Sequence, residues 1–109
     1  MNYSIEVTSL FEKQLKRLVK KYPSLKTEYA GLISILKENP ETGKLIGNSC
    51  YKIRLGIASK GKGKSSGARV ITFVHILQTK LYLLSIYDKS EQNSISEKQL
   101  ETVLKSIEE

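Results

Sequence analysis

Hydrophobic and polar positions alternate along this chain in two periods, and the switches between them mark the elements. Residues 2–7 place Tyr3, Ile5 and Val7 on one side and Ser4 and Glu6 on the other, the two-residue period of a half-buried strand. Thr8 and Ser9 then offer N-cap oxygens to a helix whose apolar stripe is Phe11, Leu15, Leu18, Val19 and Tyr22. The opposite face carries Lys13, Lys16, Arg17, Lys20 and Lys21. Pro23 ends that helix, because the residue before a proline is biased away from helical backbone. A second helix starts near Pro23-Ser24, repeats the spacing with Leu25, Tyr29, Leu32, Ile33 and Leu36, and stops at Asn39-Pro40. Two matched stripes joined by a short turn predict an antiparallel helical hairpin laid on a sheet.

Residues 41–49 read as a loop with a short extended piece at Lys44–Ile46. Three strands follow. Cys50–Ala58 sets Tyr51, Ile53, Leu55 and Ile57 on one face and Lys52 and Arg54 on the other. Arg69–Leu77 is apolar almost throughout, which predicts a central strand. Leu81–Tyr87 completes a hairpin after a short connection. The last helix is signalled by Ser96 and Gln99 as a capping box and by Ile95 and Leu100 as a hydrophobic staple. Leu100, Val103, Leu104 and Ile107 form its apolar face. The expected fold class is α+β, one domain over 1–109, in the order β-α-α-β-β-β-α. Its sheet is mainly antiparallel, with the N-terminal helical hairpin packed on one face and a working surface on the other.

Charge changes this picture more than composition does. The chain has 109 residues, 39% hydrophobic and 27% charged, within ordinary globular usage. Its formal charge is +7, and from Thr42 to Tyr87 there are eight basic residues and no acidic one. The stretch Lys52–Arg69 holds six of them, interleaved with four Gly and three Ser. Charge concentrated this way is an electrostatic footprint for phosphate backbones. Lys52, Arg54 and Arg69 belong to strands, which place cations for defined contacts, whereas Lys60, Lys62 and Lys64 ride a mobile loop suited to gripping a polyanion.

Other chemistry is poorly supported. Gly63-Lys64-Ser65 fails as a phosphate-binding P-loop, since position 58 is Ala and a strand follows. His75 is set in an apolar strand, and no metal-ligand spacing or cofactor motif is present. Cys50 cannot form an internal disulfide and reads as an inert strand-edge thiol in a reducing compartment. Asp88 and Glu91 read as solvated turn residues. The N-terminus lacks a signal-peptide layout and no run approaches a spanning helix, so the expected location is cytoplasmic, with no membrane partner. Were the polyanion RNA, cleavage without metal would need a base for the 2′-OH, cations for the phosphoryl oxygens and an acid for the leaving 5′-oxygen. Lys, Arg and Tyr can fill these roles if neighbouring positive charge lowers a Lys pKa. Tyr87 and Lys89, just past the strand core, complete the surface.

Three segments in order carry a resemblance. They are Cys50-Tyr51-Lys52-Ile53-Arg54, then Ser66-Gly67-Ala68-Arg69-Val70-Ile71, then Leu83-Leu84-Ser85-Ile86-Tyr87-Asp88-Lys89-Ser90-Glu91. Together they resemble the RelE/ParE superfamily of type II toxins over nearly the whole chain. The long basic loop and the segment from Tyr87 look more like its HigB-type branch than the shorter RelE proteins. The resemblance implies a ribosome-dependent mRNA endonuclease that works by 2′-OH attack, leaves a cyclic phosphate and uses no metal or cofactor. By position, Lys52 and Arg54 match the basic strand pair of RelE. Arg69 matches the arginine that contacts the scissile phosphate, and Lys89 falls where RelE has a second arginine. The late tyrosine of RelE falls near Ile95, so its role is absent or has passed to Tyr87. The implied partners are the ribosome, mRNA and a cognate antitoxin, often of helix-turn-helix type. A ParE-like gyrase inhibitor and a non-catalytic nucleic-acid-binding module are the alternatives on the same fold.

Overall fold

The computed structural model describes residues 3–60 and 67–107. Strand β1 (Ser4–Val7) leads into helix α1 (Ser9–Lys21) and helix α2 (Leu25–Glu38). Strands β2 (Lys44–Gly47), β3 (Cys50–Leu55), β4 (Ala68–His75) and β5 (Lys80–Asp88) follow, and helix α3 (Glu97–Ser106) ends the chain. The five strands form one sheet in the order β1-β5-β4-β3-β2. The pairs β2–β3, β3–β4 and β4–β5 are antiparallel, and β1 adds to β5 in parallel. The fold is therefore α+β with a mainly antiparallel sheet and β4 at its centre, as the apolar run over 69–77 predicts.

Boundaries differ from the sequence pattern, and the strand expected over Arg69–Leu77 runs from Ala68 to His75, leaving Ile76 and Leu77 exposed in the turn. The extended piece at Lys44–Ile46 becomes a fifth strand, so the observed order is β-α-α-β-β-β-β-α. Asn48 and Ser49, both left-handed (φ 52° and 59°), make the tight turn that folds it back on β3. The strand expected over Cys50–Ala58 stops at Leu55, and Ala58–Lys60 form a 3-10 turn. Here β3 and β4 converge so closely that a Cβ on Gly67 would lie 2.3 Å from the Leu55 carbonyl oxygen. Glycine is required at that point.

The hairpin α1–α2 packs on one face of the sheet. Phe11, Leu18, Leu25, Leu32 and Leu36 meet Ile53, Val70, Val74, Leu81, Leu83 and Ile86 there. Thr8 fastens it. Its hydroxyl accepts from the Phe11 N–H at 3.1 Å, capping α1, and donates to the carbonyls of Leu83 and Leu84, each at 3.1 Å. Those carbonyls flank a bulge, where the β4–β5 register slips between Ile71 and Thr72. Gln14 fills the irregularity, its Oε1 accepting from Ser85 Oγ and the Ile86 N–H at 3.0 Å each.

The other face is not wholly open. Helix α3 covers part of it, burying Leu100 and Val103 against Cys50, Ile71, Leu84 and Tyr87. Its capping box forms as predicted, with Ser96 Oγ accepting from the Gln99 N–H and Gln99 Oε1 from the Ser96 N–H. Among the described residues, no helix is long and apolar enough to cross a membrane.

Candidate functional site

Strand pairing gathers the cations that sequence separates. Arg54 lies opposite Arg69 in the β3–β4 ladder, and Arg69 lies opposite Tyr87 in the β4–β5 ladder. Cross-strand partners point to the same side, so Arg54, Arg69 and Tyr87 form a row across three strands. Tyr87 packs with α3 while its neighbour Ile86 packs with the helical hairpin, which puts the row on the α3 side. Lys52 is two residues from Arg54 and shares its face.

Lys52 has a partner that the sequence does not reveal. In the β2–β3 ladder it lies opposite Lys44. The basic face thus runs from Lys44 through Lys52 and Arg54 to Arg69. Lys44 was legible as a cation, but its place depended on a strand register that a short apolar pair cannot specify. Lys52 also lines a shallow hollow of about 140 Å³ with Ile46, Ile95, Ser96 and Leu100, at the start of α3.

The members of the row differ in exposure. Arg54 is exposed. Arg69 is buried at 4% exposure, and its Nη1 donates to the Ala68 carbonyl at 3.1 Å. Tyr87 is buried at 4% under α3. Its hydroxyl lies near the Ile95 backbone but makes no hydrogen bond of normal geometry with a described residue. Burial pushes the Tyr87 phenol above its ordinary pKa, against the opposing pull of the Arg69 charge.

Lys89 follows β5 and extends the sheet by one more bond, its N–H donating to the Gly67 carbonyl at 3.0 Å. Its ammonium donates to Asn93 Oδ1. Lys89 lies in the turn that follows β5, two residues from Tyr87. Lys62 and Lys64 lie outside the described residues.

Lys60 is not a loop cation. It sits on the 3-10 turn, its side chain only 10% exposed, and its ammonium pairs with Asp88 at 2.6 Å. It also stands 5.5 Å from the centre of the Tyr22 ring. The expectation of a freely moving RNA grip at Lys60 is corrected, because a buried carboxylate at the end of β5 draws the ammonium inward. That carboxylate is Asp88, fully buried and not the solvated turn residue its position suggests. Glu91 does lie at the surface, where it bridges Arg17 at 2.6 Å and Lys21 at 3.1 Å.

The remaining candidates are structural in character. Cys50 is fully buried, and desolvation pushes its thiol up to about 11, far from a reactive thiolate. His75 Nδ1 accepts from the Gln78 N–H at 3.3 Å in the β4–β5 turn. No group of three His, Cys, Asp or Glu residues is placed to hold a metal ion among the described residues.

No family model matches the chain. Solved structures do resemble it. A double arginine-to-alanine variant of the E. coli toxin RelE in the free state aligns over 99% of this chain and 100% of its own, with 20% identity and a TM-score of 0.66. The isolated E. coli RelE toxin aligns over 96% and 99%, with 22% identity and a TM-score of 0.61. A chain of the intact E. coli RelBE toxin–antitoxin complex aligns over 79% and 95%, with 22% identity and a TM-score of 0.60. At this identity the likeness concerns the path of the backbone, and on that ground the chain has the fold of the RelE toxin.

Proposed function

We propose that this protein is the toxin of a type II toxin–antitoxin pair, a ribosome-dependent endonuclease that cuts mRNA and stops translation. The observation that carries the reading is the Arg54–Arg69 pair, two arginines opposed across one ladder with Lys52 and Lys44 beside them. Like charges directly opposite on adjacent strands are destabilising, and a phosphate bound beside them would relieve that cost. The RelE backbone supports the same reading, and E. coli RelE occurs in complex with the antitoxin RelB. The HigB-type branch rests on the sequence motifs alone.

In this mechanism the substrate 2′-OH gives its proton to solvent water, its oxygen bonds to the adjacent phosphorus, and the bond to the 5′-oxygen breaks. The products are a 2′,3′-cyclic phosphate and a 5′-hydroxyl. Arg54 and Arg69 bind the phosphoryl oxygens, where charge builds in the transition state, and fork geometry lets each offer paired donors. Lys52 and Lys89 flank them as point charges on the same phosphate track. Tyr87, in the row with Arg54 and Arg69, is the phenol O–H assigned to protonate the leaving 5′-oxygen once substrate reaches it. Lys62 and Lys64 hold backbone phosphates outside the reacting centre. The cognate antitoxin, of helix-turn-helix type, covers the basic face, and the protein works in the cytoplasm on ribosomes.

Expression without the antitoxin tests this. Growth arrest, with cellular mRNA cut within codons at ribosomes and cyclic-phosphate ends, is the expected result. Intact mRNA with accumulated gyrase–DNA breaks would replace it with a ParE-like poison, and RNA binding without either effect would leave a binding module.

A further inference from the structure

Away from the basic row, the same side of the sheet carries a second concavity that the proposed chemistry leaves unused. Phe73 and Tyr82 lie opposite each other in the β4–β5 ladder, and His75 is the next residue of β4 on that face. Phe73 and Tyr82 pack at the edge of the cluster under α3 that holds Tyr87, so these rings share the side of the Arg54–Arg69 row. The Phe73 ring centre is 6.0 Å from that of Tyr82, with the planes 31° apart, and 6.0 Å from that of His75, edge to face. All three are half-buried and line a cleft of about 670 Å³. Asn48 and Ser49 of the β2–β3 turn and Gln78 supply its polar rim, and Leu104 and Ile107 wall it on the side of α3.

Core packing alone leaves these rings unexplained. Side chains that serve only to seat α3 are covered by it, as Ile71 and Leu84 are, each 0% exposed. Here aromatic area stays open beside amide and hydroxyl groups, the make-up of a ligand pocket rather than of a core. A planar base suits such a site. Aromatic side chains on a sheet face stack unpaired bases, and neighbouring polar groups meet the base edges.

The charge around the cleft favours a nucleic acid over a peptide. From Thr42 to Tyr87 the chain has no acidic residue, and Lys80 lies opposite His75. Glu6 stands beyond Tyr82 on β1, at the border away from the β2–β3 turn. This cleft and the shallow hollow at Lys52 are both bordered by the β2–β3 hairpin and by α3, which aligns them along one side of that helix. Phe73 is four residues along β4 from Arg69, about 13 Å in an extended strand. A short run of RNA with a phosphate at Arg54 and Arg69 spans that distance.

We infer that this cleft is a base-stacking subsite for single-stranded RNA: Phe73, His75 and Tyr82 take an unpaired nucleobase of the strand whose phosphates lie on Lys44, Lys52, Arg54 and Arg69. The inference rests on the proposed function for the identity of the polymer. It adds what the basic row lacks, since contacts to phosphate position a strand without touching its bases.

Two oligoribonucleotides separate base from phosphate: hexaadenylate and an abasic hexamer of the same backbone charge. By fluorescence anisotropy at 50 mM salt, the wild-type protein should bind hexaadenylate at least fivefold more tightly, as one stacked base provides. In nuclear magnetic resonance titrations hexaadenylate should shift the ring signals of Phe73, His75 and Tyr82, while the abasic hexamer moves only those of the basic row. Tyr82→Leu and Phe73→Leu should each cut the preference to within twofold and leave the salt dependence unchanged. Should Phe73→Leu fail to fold, Tyr82→Leu and the wild-type comparison carry the test. Equal affinity for the two hexamers, or binding of neither, overturns the inference. Ring signals that move only when the cognate antitoxin is added overturn it in favour of a protein-docking cleft. Loss of mRNA cleavage on ribosomes with the base preference intact would remove the proposed nuclease and uphold the subsite.

Discussion

Arg54 and Arg69 stand directly opposite each other on adjacent strands, with Arg54 exposed and Arg69 buried. Such pairs of like charge cost about 0.2–1 kcal/mol relative to neutral pairs. Replacing Arg54 with Gln should therefore stabilise the free protein by a few tenths of a kcal/mol up to about 1. The same change should slow mRNA cleavage at least 100-fold, as expected when a donor to a developing oxyanion is lost. Thermal melts and single-turnover cleavage read the two effects. A variant that is less stable and equally active would show that the pair serves packing alone.

Tyr87 permits a similar separation. Its buried hydroxyl makes no hydrogen bond of normal geometry with a described residue, and burying a polar group unsatisfied costs roughly 1–3 kcal/mol. Tyr87→Phe should thus melt at or above the wild-type temperature. Cleavage should nonetheless fall at least tenfold if the phenol protonates the leaving oxygen. A stabilised variant with full activity would remove Tyr87 from the chemistry and leave it as packing for α3.

Most of the fold was legible because local signals and tertiary packing agree. The stripes at Phe11–Tyr22 and Leu25–Leu36, the capping box at Ser96 and the apolar run of β4 each specify an element and the face it buries. What was hidden depended on pairing between distant residues. No local pattern sets Lys44 opposite Lys52, and a Tyr-Asp-Lys sequence gives no sign that the middle residue is buried and the lysine of a distant turn drawn to it. Cations on alternating strand positions could be placed on a face from sequence. The partner of a loop-edge cation could not, because it is fixed by three elements converging at Tyr22, Lys60 and Asp88.

The Lys60–Asp88 pair should mark the acid limb of stability. The Asp88 carboxyl titrates lower in the folded protein than in the unfolded chain, where a free Asp has a pKa of about 3.9. Its contribution is therefore complete above that unfolded value and is lost as pH falls from about 4 toward the depressed folded value. Between pH 5 and 9 it adds no slope. Asp88→Asn should abolish this component, flattening the melting temperature between about pH 4 and 2 relative to wild type. Lys60→Met alone leaves the carboxylate buried without its cation and should cost roughly 3–5 kcal/mol at neutral pH. Glu91→Gln removes only surface bridges and should barely move the melt. An acid limb unchanged in Asp88→Asn would mean that another carboxylate governs it.

Salt dependence distinguishes cations that hold backbone from those that act on the reacting phosphate. Lys62 and Lys64 belong to the first group in the proposed mechanism, and each phosphate neutralised on single-stranded RNA contributes about 0.7 to the slope of log affinity against log salt. Changing both to Gln should flatten that slope by roughly 1.4 and weaken binding at low salt, while the cleavage rate at saturating ribosome stays within threefold of wild type. Arg69→Lys should behave oppositely. It keeps the charge and so nearly the same slope, but it exchanges a planar fork for a single ammonium and should lower the saturated rate at least tenfold. Filter binding across 50–300 mM salt, paired with single-turnover cleavage, separates the two. Equal losses of slope and rate in both variants would show one undivided basic patch rather than a reacting centre with a grip beside it.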